Sequence, residues 1–104
     1  MGQVSKLIDI IENLATFGDE GTIYACEPWT ENSNAMVAQE PDEGGVPPEA
    51  ANAGMTYFLE TYIATEVVEG WIRSRLKAIS ERPSSLWLCQ KVIYYATYDA
   101  YGDP

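Results

Sequence analysis

The stretch VAQEPDEGGVPPEA, residues 37–50, constrains the fold more than any other part of the chain. It holds three prolines and two glycines, and neither a helix nor a ladder strand runs through such a segment, because proline lacks the N–H and glycine invites a turn. Regular structure must therefore be assembled from what lies on either side of a loop.

Before the loop, VSKLIDIIENLATFGDEG spaces Val4, Leu7, Ile8, Ile11, Leu14 and Ala15 by threes and fours, which predicts an amphipathic helix ending at Gly18. TIYACEP is β-branched and aromatic and stops at Pro28, so it predicts a strand of about five residues. NAMVAQE predicts a second strand, with the Asn and Ser chemistry of a hairpin loop in WTENSN between them. After the loop, PPEAANAG predicts a helical turn with proline in first position and Gly54 beyond its end. Thr56 to Ile63 predicts a strand with Phe58, Glu60 and Tyr62 on one side and Leu59, Thr61 and Ile63 on the other, a continuous helix being the rival reading. Val67, Val68, Trp71, Ile72 and Leu76 then take helical spacing. A last helix starts near Pro83 with Ser84 or Ser85 in its first turn, buries Leu88, Cys89, Val92, Ile93 and Ala96, and stops at Gly102 and Pro104. The order α-β-β-turn-β-α-α implies an α+β fold, a small antiparallel sheet of about three strands with helices covering one face. At 104 residues the chain forms a single domain, 1–104, on one core.

Composition narrows the chemistry. The chain has no histidine, which removes Ser-His-Asp and Cys-His catalysis and His-containing metal sites. Its two cysteines, Cys26 and Cys89, form no CxxC group; free thiols are expected, with a disulfide between them the lesser alternative. The start of the chain has neither a signal-peptide core nor a membrane span, so a cytoplasmic location is expected. Sixteen acids against six bases give a net charge of −10, and thirteen of those acids but only one base, Lys6, fall in residues 1–70. Nucleic-acid binding is disfavoured, since it rests on Lys and Arg against phosphate, and a basic partner is favoured.

The acidic loop supplies Glu40, Asp42, Glu43 and Glu49, but not at the alternating spacing, closed by a bidentate Glu, that calcium loops need, so no metal or cofactor is expected. Glu27, Glu60 and Glu66 are the candidates for carboxylate hydrolysis, for each of which an ordinary surface carboxylate is the simpler reading. Trp29, between Glu27 and Glu31, is either an exposed interface residue or an indole folded back over the core. Tyr94, Tyr95, Tyr98 and Tyr101 cannot all face one way on a helix, which leaves hydroxyls for solvent or for self-association.

From about Thr22 to Ala100, the PWT loop at Pro28, the DEGG.P segment at Asp42, the YFLE run at Tyr57 and the YYA..DA ending at Tyr94 resemble a family of small bacterial proteins. In size and acidity these are similar to the immunity proteins of bacterial toxin systems, including contact-dependent growth inhibition. The resemblance implies a non-enzymatic antitoxin that binds and neutralises a cognate toxin domain, a nuclease such as an RNase. Glu27, Trp29, Glu31, Glu40, Asp42 and Glu43 are then the partner-binding residues, offering acid to a basic cleft. The alternatives from other classes are a small carboxylate hydrolase and a self-associating structural or regulatory module.

Overall fold

A computed structural model describes residues 3–101. The elements run β1 (Ser5–Lys6), α1 (Leu7–Glu12), α2 (Leu14–Phe17), β2 (Thr22–Cys26), β3 (Asn34–Ala38), α3 (Pro48–Asn52), β4 (Met55–Glu60), α4 (Thr61–Ile79) and α5 (Ser85–Tyr98). The fold is α+β. Its sheet has four strands in the order β1-β3-β2-β4, every pair antiparallel.

The fourth strand corrects the expected three. Ser5 and Lys6 are extended only because they pair with Ala35 and Asn34, and two residues carry no pattern of their own. The first helix also differs from the expected continuous one. It breaks at Asn13, whose side-chain N–H donates to the Asp9 carbonyl at 2.8 Å, a bond that competes with the helical ladder. Val4 falls ahead of the helix and is half exposed. The first N–H groups of α1 are satisfied from outside: Leu7 and Ile8 donate to the carbonyls of Ser33 and Glu31, which ties the β2–β3 loop to the helix.

β4 corrects a second expectation. The strand ends at Glu60 and the helix begins at Thr61, so Tyr62 and Ile63 are helical. A bulge between Ile23 and Tyr24 in the pairing leaves Phe58 without a partner on β2, and Phe58 and Leu59 both enter the helix-side core instead of alternating. The turn into α4 rests on Thr61, fully buried, whose N–H and hydroxyl both donate to the Gly21 carbonyl.

The core lies between the sheet and α1, α2, α4 and α5, where Leu7, Ile10, Ile23, Phe58, Val67, Cys89 and Val92 are almost wholly inaccessible. A second, smaller cluster of Tyr24, Met36, Ala50 and Met55 covers the opposite face, so helices on one face alone do not describe the molecule. The α4–α5 pair is fastened by aromatics: Trp71 meets Trp87 edge-on at 5.5 Å, and Lys91 and Arg75 lie over their rings. Ser84 caps α5 by accepting the Trp87 N–H, as its position suggests. The helix turns left-handed at Asp99; Gly102 and Pro104 lie outside the described residues.

Both cysteines are free, Cys26 half-buried and Cys89 buried. Burial, with smaller contributions from Glu31 and Glu12, pushes the Cys89 thiol up from 9.0 to about 12. The folded state therefore favours the neutral thiol. Its contribution is complete below pH 9 and is lost as pH rises from there toward 12, because only the unfolded chain ionises in that interval. Urea unfolding of the wild type and Cys89→Ala should show the wild type losing its advantage over that window. A packing change of a second kind tests the turn: a Cβ on Gly21 would lie 2.5 Å from Val37 Cγ1, so Gly21→Ala should cost about 1–3 kcal/mol in the same assay.

Candidate partner-binding surface

The acidic loop is built outward from the second cluster. After β3 the chain turns at Pro41–Gly44, where the Gly44 N–H donates to the Pro41 carbonyl at 2.8 Å. Gly44 and Gly45 both take positive φ, 82° and 83°, which a side chain would resist. Asp42 and Glu43 occupy the tip of that turn, exposed, and Glu40 is exposed just before it. Val46, Pro47 and Ala50 then turn inward, with Ala50 fully buried and Val46 packed against Tyr24, Met36 and Met55. The proline- and glycine-rich loop is thus held by its apolar residues while its acids face out. Glu40, Asp42 and Glu43 make no ion pair with any described residue.

Burial raises the Tyr24 phenol above its ordinary range, with Glu40 adding to the rise and the Thr22 hydroxyl offsetting part of it. Burial also raises Tyr57, followed by the carboxylates of Glu60 and Glu40. Glu40 and Glu60 therefore act on the same patch of the second face, at the end where Thr22 pairs with Glu60.

The other three expected residues are elsewhere. Glu27, Trp29 and Glu31 belong to the β2–β3 loop, at the opposite end of the five-residue β3, roughly 15 Å along the strand. They do not form one compact cluster with Glu40, Asp42 and Glu43. Glu27 is exposed and accepts a hydrogen bond from the Thr56 hydroxyl at 3.3 Å. Glu31 is half-buried, and its charge acts on Cys89 across the helix side of the sheet. Trp29 is folded back: its ring meets Phe58 edge-on at 4.9 Å and its N–H donates to the Ala25 carbonyl at 3.3 Å.

Of the hydrolase candidates, Glu27 and Glu66 are exposed and Glu60 is half-buried. An open groove of about 530 Å³ between α1–α2 and α4 instead brings Glu12 and Glu69 together with Arg73 and Arg82 over Ile11, Leu14, Val68 and Ile72. Sequence reading missed this grouping; only the four-residue step from Glu69 to Arg73 hinted at it. It also missed the exposed rings of Tyr57 and Tyr62 beside Glu60, 44 % and 47 % accessible, because alternation placed Tyr62 on a strand with Phe58 and left Tyr57 unassigned. Among the described residues no group of three or more Asp, Glu, Cys or His is placed to hold a metal ion, and no helix is long and apolar enough to cross a membrane.

The bases occupy the other part of the molecule. Arg73, Arg75 and Lys77 lie on the second half of α4, Arg82 in the link and Lys91 on α5. The fold brings Arg73 and Arg82 into one groove with Glu12 and Glu69, so the charge asymmetry along the sequence persists in space only for the acids of the turn at Pro41–Gly44.

Trp29→Ala should lower stability by about 2–4 kcal/mol through loss of the Phe58 contact, and Trp29→Phe by less, in urea unfolding. Unchanged stability in Trp29→Ala would instead leave the indole available to a partner. Comparison of the chain with protein-family models, with curated proteins and with solved structures finds no match.

Proposed function

We propose that this chain is a non-enzymatic cytoplasmic binding protein, an immunity protein that neutralises a cognate toxin domain of nuclease type by presenting carboxylates to its basic cleft. The observation that carries the reading is the turn at Pro41–Gly44, which holds Asp42 and Glu43 outward, with Glu40 beside it, on a segment fixed by Val46 and Ala50. A nuclease must keep a basic surface for its polyanionic substrate, and an acidic protein entering that field gains encounter rate and selectivity from charge complementarity. The three acids form no ion pair with a base among the described residues, so their field is available to a partner. Fixing them on a packed segment lowers the ordering cost of binding. Exposed Tyr57 and Tyr62, with Glu60, supply the aromatic component that Trp29, folded back, supplies less of.

Co-expression with the product of the adjacent gene tests the reading: protection of growth and a salt-sensitive complex support it, and a toxic product left fully active in the presence of the protein overturns it. With such a partner in hand, joint replacement of Glu40, Asp42 and Glu43 by Lys should slow association by about 10- to 100-fold at low salt and flatten its dependence on ionic strength. Circular dichroism should stay unchanged. Stopped-flow association rates read the difference, and rates equal to wild type would remove these three residues from the interface.

A further inference from the structure

β4 is the outer strand of the sheet, paired with β2 on one side only. Among the described residues no turn or loop hydrogen bond engages the main chain of residues 55–59 on its outer side; Met55, Phe58 and Leu59 are buried, so the stretch of edge open to pairing is Thr56 and Tyr57, with Glu60 half-buried beyond it. The two sheet edges are treated differently. β1, at the far edge, is two residues long and carries Lys6, a short strand and a positive charge being common means of blunting an edge. β4 is six residues long and contains no Lys, Arg or Pro; the bulge at Phe58 and the charge of Glu60 at its end are what it carries against pairing.

Side chains along this edge belong to one chemistry. Glu27 sits at its start, bonded to Thr56, and Glu60 closes it. Thr56 and Tyr57 are exposed between them, and Tyr62 follows on the first turn of α4. The two groups of acids that the fold separates along β3 are both represented here, Glu27 at one end and Glu60 at the other.

We propose that the free edge of β4 accepts an extended, basic segment of a partner protein as an added strand, with Glu27 and Glu60 receiving its cationic side chains and Tyr57 lying across it. This rests on the proposed binding function and gives it a place and a mode. Main-chain pairing supplies affinity and the flanking acids supply selection. A second copy of this chain is a poor occupant, because pairing β4 with β4 would bring Glu27 and Glu60 against like charges in a molecule of net charge −10. The same acids make a Lys- or Arg-bearing strand the complementary one.

Two synthetic peptides of about eight residues, alternating Lys with Thr and Lys with Pro, separate strand pairing from charge attraction, since the second carries the same charge but offers no ladder N–H at its prolines and resists β pairing. Amide exchange and chemical shifts of the full chain are read at low ionic strength. The Lys-Thr peptide should slow exchange within 55–60 by at least about fivefold and shift Thr56 and Tyr57, whereas the Lys-Pro peptide should leave β4 exchange unchanged. Tyr57→Lys, which puts a like charge on the edge, should lose the Lys-Thr effect with its circular dichroism intact. Equal effects of the two peptides, or shifts confined to 40–43, overturn strand addition and leave the acidic-surface reading standing. No shift anywhere with either peptide overturns both.

Discussion

The burial of β2 on both faces is the constraint on which the rest depends. Thr22, Ile23, Tyr24 and Ala25 are all buried, Ile23 and Ala25 under the helices and Tyr24 in the cluster with Met36, Ala50 and Val46 on the other face. A strand buried on one side needs only one layer; this one needs two, and the second layer is the proline- and glycine-rich segment. Val46 and Ala50 are drawn onto Tyr24 and Met36 by the same transfer of apolar surface from water that places Val67 and Val92 on the other side. The outward display of Asp42 and Glu43 follows from that packing, because a turn whose flanks are held down must present its tip.

Charge separation has its own origin. α4 runs 19 residues, about 28 Å, and its first half lies over the sheet while Arg73, Ser74, Leu76 and Lys77 on its second half are exposed. Of the bases that follow Trp71, Arg73 and Arg82 share a groove with Glu12 and Glu69, while the aromatic contacts among Trp71, Trp87, Arg75 and Lys91 hold the α4–α5 pair together. At physiological ionic strength the screening length is about 8 Å, so bases gathered around that groove do little to neutralise Glu40, Asp42 and Glu43 at the turn on the other face.

Much of the architecture was legible in the residues and some of it could not be. Apolar periodicity gave the two long helices, and β-branched and aromatic runs gave β2, β3 and the start of β4; Pro48 and Gly54 framed α3 where they stood. What escaped was decided by contacts distant in sequence. β1 exists through pairing alone. The break at Asn13 is invisible because the apolar spacing continues across it into Leu14. The bulge that sends Phe58 and Leu59 to the same side cannot be read from a strand whose alternation is regular on paper. At the surface, the acids were identifiable as a group but their arrangement was not: Glu27 and Glu31 seemed near Glu40 in sequence, and a strand lies between them. Trp29 illustrates the limit most clearly, since two readings of the same loop residue differ only in whether Phe58 is within reach.

The excess of acid also bears on energy. Sixteen acids against six bases leave the folded molecule with self-repulsion that the unfolded chain, being larger, relieves. Part of the stabilisation from the two apolar clusters is thereby offset. Under the proposed function, a cationic partner on the acidic face would remove some of that repulsion at the same time as it gained its own contacts, so association would be favoured twice by one set of charges. The arrangement divides labour between residues: Val46, Pro47 and Ala50 hold the segment, while Glu40, Asp42 and Glu43 are exposed, Glu40 acting on Tyr24 of the second cluster through its charge. Under the proposed function, substitution at the turn tip alters recognition with little effect on folding, while substitution at Val46 or Pro47 alters both.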